Sequence, residues 1–487
     1  MTRFNNTVSH KPNAVTYEGG QAYEKSLVEE WINFLFSSYL ENRFYETMNT
    51  QTVLFLDLTD KMIEEYGAEF VAKAALFARN ELGMRSVSQL VAARLNSEQF
   101  DGKRAFFRNY PHRADDAAEI FAAIDVLTEN RSHATVRGLG DYISSLSSYA
   151  LGKYKLTNHE YNMFDVINIT HAHSDAINAY KAGKLDSPDT WEVAISTAKN
   201  DELRQREWVR LVEQNKLGYL ALIRNLRNIL NIPNLSREWI ESYICSQLRD
   251  EKAIRKSLVF PYQIYSAYKS MDIYNPAVVA ALSDAFMIAV DNMPKLEGNT
   301  IIMLDVSGSM DTSISHNSKI TIKEAGAVYA ACIILSSENS DIVKFGTTAE
   351  KYNFNKNDNV FEQIRRMQNT GRLGCGTNIG PAYDLINSAY DRIILISDMQ
   401  IMDNNRRWYY WEDTKNGLTC YQDYCKRHGR TPIYSFDLGN YHTQTDNPNN
   451  PDVYLCTSLS EKTLKFISLL EDGQNLVDYI NDNYDYR

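Results

Sequence analysis

Asp305, Ser307 and Ser309 stand two residues apart in the segment Asp305-Val306-Ser307-Gly308-Ser309-Met310, directly after the apolar run Thr300-Ile301-Ile302-Met303-Leu304. A hydrophobic strand that ends this way places one carboxylate and two hydroxyls at its carboxyl end, where open α/β sheets bind ligands. Three oxygen donors on one short loop suit a hard divalent cation. Mg²⁺ fits best, since it prefers oxygen and keeps some of its waters. Thr377, in Gly376-Thr377-Asn378 at the start of a helical stretch, adds a further hydroxyl. A second apolar run, Ile393-Ile394-Leu395-Ile396-Ser397, ends in the carboxylate of Asp398. Asp305 and Asp398 then supply charge, and Ser307, Ser309 and Thr377 supply neutral oxygens, some through water. Two negative charges leave the cation electrophilic, able to accept an acidic or phosphate oxygen at an open position. Ser and Asp also favour helix N-caps, so the first loop alone is ambiguous. Its order with Thr377 and Asp398 favours the cation.

That combination resembles the metal-ion-dependent adhesion site of a von Willebrand factor A domain. The elements needed to position it are legible. Beyond residues 292–298, short apolar strands near 301–305, 342–345, 393–397 and 433–436 alternate with helical stretches near 319–338, 379–390, 417–428 and 460–470. Such alternation signals a parallel sheet with crossover helices, a doubly wound α/β domain over residues 291–487. The stretch 441–451, rich in Asn, Thr and Pro, reads as a polar surface loop.

Before that point, from about residue 25 to 290, the pattern is helical. Val28, Trp31, Ile32, Leu35 and Tyr39 recur at helical spacing, as do Ile63, Tyr66, Phe70, Ala74 and Phe77, with brief breaks between such stretches. Many amphipathic helices with short turns predict paired helices stacked as a degenerate, HEAT-like array over residues 1–290.

Composition bounds the rest. The chain has 487 residues, enough for more than one domain, and 44% hydrophobic with 23% charged residues marks a folded protein. No apolar run reaches the roughly 18 residues needed to span a bilayer. The first twenty residues are polar, which argues against a signal peptide. Six scattered cysteines point to reduced thiols in a cytoplasm. Cys420, Cys425 and His428 could be three zinc ligands, but no fourth is evident and one helix face explains them better. A net charge of −11 excludes indiscriminate nucleic-acid binding, and both 1–300 and 301–487 are acidic on balance. Any RNA site must be a local patch.

One such patch stands out. In the helical stretch 217–230, Leu222, Ile223, Leu226, Ile229 and Leu230 share one side, and Arg224, Asn225, Arg227 and Asn228 the opposite arc. Two guanidinium forks and two amides suit phosphates, sugar hydroxyls and base edges. An ordinary solvated face remains the plainer reading of that segment by itself. Arg204, Arg206, Arg210 and Lys216 upstream, and Arg249, Lys252, Arg255 and Lys256 downstream, add local positive charge. His171 and His173, two residues apart, do not share a helical face, which favours capping or hydrogen bonding over metal binding.

Taken with these features, the chain resembles the TROVE-domain family, which comprises the Ro ribonucleoprotein autoantigen and its bacterial counterparts. The resemblance rests on Thr16-Tyr17-Glu18-Gly19-Gly20, on residues 166–171, on Thr190-Trp191-Glu192-Val193-Ala194-Ile195, on Leu222-Ile223-Arg224-Asn225-Leu226-Arg227-Asn228 and on residues 305–310. It implies a ring of HEAT-like repeats closed by the von Willebrand-type domain. It also implies binding of small structured Y RNAs and of the single-stranded ends of misfolded or damaged RNAs, in RNA quality control with a partner exoribonuclease. By this resemblance His171, Lys153 and Lys155 join the RNA-contacting set. The expectation is a cytoplasmic monomer without catalysis of its own and without membrane association. The alternative is a protein-interaction scaffold whose cation captures an acidic partner residue. A metal-dependent hydrolase is disfavoured, because no general base or second metal stands beside the loop.

Overall fold

The computed structural model describes the chain apart from residues 1–12, 18, 38–47, 129, 154–159, 186–190, 315–317, 403–416, 442, 447–449, 451, 457–466, 468–475 and 487. It forms two compact units. Residues 1–51 and 219–472 make one, and residues 52–218 with 473–487 make the other. The change near residue 292 is real as a change of pattern, from helices to strands. The compact units divide elsewhere, between Gly218 and Tyr219.

In the first unit, the strands β3 (Leu296–Asp305), β4 (Ser337–Phe345), β5 (Ala349–Tyr352), β6 (Arg392–Ser397), β7 (Ile433–Asp437) and β9 (Val453–Cys456) form one sheet in the order β5-β4-β3-β6-β7-β9. All neighbours are parallel except the edge strand β5. Every residue of β6 is buried, as a parallel strand covered on both faces requires. One face carries Ile301, Met303, Ile393 and Leu395, packed with Tyr383, Tyr421 and Tyr424 from the helices Gly380–Asp384 and Gly417–His428. On the other face lies the helix Ile322–Ser336. A β-carbon at its Gly326 would stand 3.2–3.3 Å from Ile396 and Leu304, so glycine lets helix and sheet approach closely. The sheet is therefore wound on both sides, as the alternation predicts. The helix expected over 379–390 is shorter, and the one expected over 460–470 falls almost wholly outside the described residues.

Two features explain why residues 1–51 and 219–290 join this unit. The short strands β1 (Ala14–Val15), β2 (Gln21–Glu24) and β8 (Thr443–Gln444) form a second sheet in the order β1-β2-β8. Lys25 Nζ meets Asp437 Oδ2 at 2.6 Å with neither side chain exposed, and Asn33 Nδ2 donates to the same oxygen at 2.9 Å. The helix Pro261–Ser270 packs on Ile322–Ser336, where Tyr265 donates its hydroxyl to Glu324 at 2.6 Å. The expectation of a polar surface loop over 441–451 fails here. Tyr441, Thr443, Gln444, Thr445 and Asp446 are all buried, because β8 is an interior partner of the amino-terminal segment. Polar composition misleads where polar side chains are needed to satisfy one another inside.

The second unit is helical. Ser86–Arg94 packs on Ala114–Leu127, Lys103–Asn109 on His133–Ser145, and the latter on Met163–Thr170. The long element Met48–Asn80 is interrupted at Gly67, whose φ of 84° breaks the helix. Gly138 is where Lys103–Asn109 and His133–Ser145 come closest, since a β-carbon there would stand 2.4 Å from the Arg104 carbonyl oxygen and 2.7 Å from Phe107 Cβ. Gly138→Val should therefore destabilise the protein by about 1–3 kcal/mol through overpacking, read as a lower urea midpoint. An unchanged midpoint would show that the two helices can part without cost.

Candidate metal centre and basic groove

β3 delivers Asp305 and β6 delivers Ser397 to the same end of the sheet, because the two strands run parallel in register with Leu304 opposite Ile396. Ser397 Oγ donates to Asp305 Oδ2 at 2.6 Å, and the backbone N–H of Ser307 donates to Asp305 Oδ1 at 2.8 Å. The loop after β3 does not enter a helix. It makes a single 3-10 turn, Ser309–Asp311, and the next helix is capped separately by Thr321. Helix capping therefore does not explain the Asp-x-Ser-x-Ser segment. Ser307 and Ser309 place their hydroxyl oxygens 3.4 Å apart.

Two further loops close on this one. Gly308 donates its N–H to the Cys375 carbonyl at 2.8 Å, and Met402 donates to the Thr377 carbonyl at 3.0 Å. A β-carbon at Gly376 would stand 1.9 Å from the Met402 sulfur, so any larger residue before Thr377 would have to displace the end of that flexible side chain. Thr377 lies in an irregular stretch just ahead of the helix Gly380–Asp384.

Asp305, Ser307, Ser309, Thr377 and Asp398 are all buried, between 0 and 8% exposed. Burial, opposed by hydrogen bonds from Ser397 and Ser307, pushes the Asp305 carboxyl above its usual range. Asp398 is pushed up to about 8, first by burial and then by the charge of Asp305, with Ser309 and the Gln400 N–H acting against the rise. The two carboxylates thus repel each other inside the protein. Asp398 Oδ2 is fully enclosed yet has no hydrogen-bond partner among the described residues. A buried carboxylate oxygen without a donor is costly, and a hard cation among these oxygens is what would offset it. The residues present fit such an ion. Among the described residues, no three His, Cys, Asp or Glu side chains gather elsewhere as a metal cluster. Cys420, Cys425 and His428 lie on the single helix Gly417–His428.

Sequence reasoning missed Ser397, whose hydroxyl fixes Asp305, and Gln400, whose N–H reaches Asp398 Oδ1 at 3.2 Å. Ser397 could have been found as the last residue of a strand already singled out. Gln400 carried no local signal.

The basic segment forms the helix Tyr219–Leu230. Arg224, Arg227 and Asn228 are exposed, but Asn225 is buried, donating back to the Ala221 carbonyl at 2.9 Å. The polar face is thus narrower than the expected four-residue arc, because position 225 turns toward the apolar stripe. Arg224 and Arg227 line a groove of about 250 Å³ with Tyr262, Gln263, Ser266 and Ser270 of the helix Pro261–Ser270. Arg227 stands 4.0 Å from Asp272, and Arg224 has no hydrogen bond or ion pair among the described residues. Much of the surrounding positive charge is already neutralised. Arg204, Arg206 and Arg210 pair with Asp201, Glu202 and Glu207, and Arg249 and Arg255 pair with Asp284, Glu251 and Asp291. Lys252 and Lys256 remain exposed with no ion pair among the described residues, so positive charge persists beside the groove as well as in it.

In the other unit, Lys153 pairs with Glu192 at 3.1 Å, and Lys155 lies outside the described residues. His171 is an exposed C-cap of the helix Met163–Thr170, in the left-handed conformation with φ 53°. His173 is exposed and receives no metal-like partner; its Nδ1 faces the His171 carbonyl at 3.4 Å.

The TROVE domain pattern matches residues 156–292, which include the helix Tyr219–Leu230. Telomerase protein component 1 of Rattus norvegicus is 33% identical over 98 residues, 20% of this chain and 4% of that protein. Its Mus musculus counterpart is 32% identical over 89 residues, 18% of this chain and 3% of that protein. The chain therefore spans only a few per cent of the length of these relatives. The crystal structure of the Deinococcus radiodurans Ro (RSR) protein is similar in fold, with a TM-score of 0.60 at 15% identity over 88% of this chain and 96% of that one.

Proposed function

We propose that this protein is an RNA-binding component of a ribonucleoprotein, built as a TROVE-type array of HEAT-like helices with a von Willebrand factor A-like domain. Its RNAs are small, structured, Y-like species and the single-stranded ends of misfolded or damaged transcripts. It acts by binding, in RNA quality control, and passes such ends to an exoribonuclease in the cytoplasm. The observation that carries this reading is the TROVE match over 156–292 together with the groove inside it, where Arg224 presents a guanidinium that no carboxylate among the described residues neutralises. In an otherwise acidic chain such a site recruits phosphate locally. By the resemblance stated above, Lys153, Lys155 and His171 are proposed as further RNA-contacting residues, each within its own unit.

Arg224→Ala combined with Arg227→Ala should weaken RNA binding in a gel-shift titration. It should also reduce the slope of log affinity against log salt by about two, one for each phosphate that is no longer held. Both side chains are exposed, so far-UV circular dichroism should not change. Unaltered affinity, with RNA binding by the wild type confirmed, would remove the groove from the site.

A second reading draws on Asp398 Oδ2, enclosed and without a donor. We propose that Asp305, Ser307, Ser309, Thr377 and Asp398 hold Mg²⁺, directly or through water. Bound there, the cation supplies an electrophilic position for an acidic oxygen of a protein partner. The two readings are compatible. Chelation that abolishes a protein contact and leaves RNA binding intact would assign the cation to the partner.

A further inference from the structure

Thr16, Tyr17, Gly19 and Gly20 have no role in either reading, yet they are fastened to the loop that carries Asp398. Thr16 Oγ1 donates to the Ile401 carbonyl at 2.5 Å and accepts from the Gly20 N–H at 3.0 Å. Gly19 bridges Met402. A β-carbon at Gly20 would stand 2.2 Å from the Ile401 carbonyl oxygen, so the two backbones touch. Tyr17 donates its N–H to Gln400 Oε1 at 2.9 Å.

Gln400 is the junction. Fully buried, it accepts from Tyr17, directs Nε2 toward Thr443 Oγ1 at 3.3 Å and the Asp398 carbonyl at 3.5 Å, and gives its N–H to Asp398 Oδ1. Thr443 is itself paired with Glu24 of β2. Between the two, Met399 has φ 60°, a conformation that is costly for a residue with a side chain and persists only where its surroundings impose it.

We infer that the amino-terminal turn is a positioning device for the proposed cation site, with Gln400 as the positioning residue that orients the Asp398 carboxylate and Thr16 as the anchor. The inference rests on the cation reading above. Asp398 Oδ1 is held by the Gln400 N–H while Oδ2 is left without a donor, as a carboxylate prepared to give one oxygen to an ion must be. Partners behind metal ligands act in this way, and their loss typically costs about 10–100-fold in metal affinity.

The test is Mg²⁺ titration calorimetry on the full chain. Thr16→Val, which keeps the shape and removes the hydroxyl, and Gln400→Met should each weaken Mg²⁺ binding by about tenfold or more. Thr16→Ser should retain wild-type affinity, a rescue that general loosening of the fold would not produce. Far-UV circular dichroism checks folding, and if Gln400→Met does not fold, the Thr16 pair decides. Wild-type affinity in Thr16→Val overturns the inference and leaves the cation site standing. A wild-type protein that binds no Mg²⁺ overturns the cation site, and this inference falls with it.

Discussion

Addition of millimolar Mg²⁺ at pH 8 should raise the melting temperature of this protein by roughly 5–10 °C, and at pH 6 by far less. The reason is the state of Asp398. Burial and then Asp305 hold its carboxyl at about 8, against about 3.9 for an aspartate in an unfolded chain. A carboxyl raised on folding contributes stability while it is protonated. That contribution is complete below about pH 4 and is lost as pH climbs toward 8. Cation binding requires the charged form, so affinity should rise about tenfold per pH unit up to pH 8. An ion at a hundred times its dissociation constant adds about 2.7 kcal/mol, and each kcal/mol shifts the melting temperature of a domain this size by about 2–4 °C. Asp398→Asn keeps the shape and removes the charge. It should abolish the response to Mg²⁺ and make the metal-free protein more stable than wild type at pH 8. A Mg²⁺ effect of equal size at both pH values, or one that survives Asp398→Asn, would refute this account. Differential scanning fluorimetry reads all of these outcomes.

Asp116→Ala should cost about 3–5 kcal/mol, the range for stranding one partner of a buried ion pair. Asp116 is fully buried in the helical unit and takes five hydrogen bonds. They come from Arg79 at 2.8 Å, Arg85 at 2.9 Å, Gln89 at 3.1 Å and the N–H groups of His112 and Arg113 at 2.8 and 3.0 Å. Burial alone would raise this carboxyl, but Arg79, the His112 N–H and Arg85 reverse the effect and hold it below the usual aspartate range. Its ionised form therefore adds stability above the unfolded value near 3.9, which is lost as pH falls through the depressed folded value. Without Asp116, Arg79 is left 8% exposed with no carboxylate. Urea unfolding at pH 7 should show the loss, and the mutant should lack part of the acid limb of the wild-type stability curve. A change under 1 kcal/mol would mean that water replaces the carboxylate in this core.

How far the sequence reveals this protein follows from the range over which each determinant acts. Strand ends and their loop residues are local, so Asp305, Ser307, Ser309 and Asp398 can be read from apolar runs that stop in oxygen donors. The same runs give β6 and β7 nearly whole and only the buried carboxyl halves of β3 and β4, because the apolar signal is confined to the residues that the sheet encloses. A helical wheel misplaces Asn225 because it assigns faces by angle, whereas the partner helix decides how wide the buried side is. The Asn225 amide settles inside by bonding to Ala221. The segment 441–446 misleads for the opposite reason. Its polar residues face β2 and Gln400, more than 400 positions and some 40 positions away respectively, and no window along the chain contains both. Charge is equally deceptive, since a run of arginines looks basic until the glutamates and aspartates a turn away are seen to pair with it.

The sealed contact between Lys25 and Asp437 spans 412 positions. A ribosome adding about 5–20 residues per second needs roughly 20–80 s to travel that distance. Throughout that interval Lys25 and the β2 edge that takes β8 await their partners. These residues are made long before the strands that house them. Synthesis of this protein thus imposes a long wait during which this segment must be shielded, and a bound chaperone should raise the yield of native molecules in a cell-free translation.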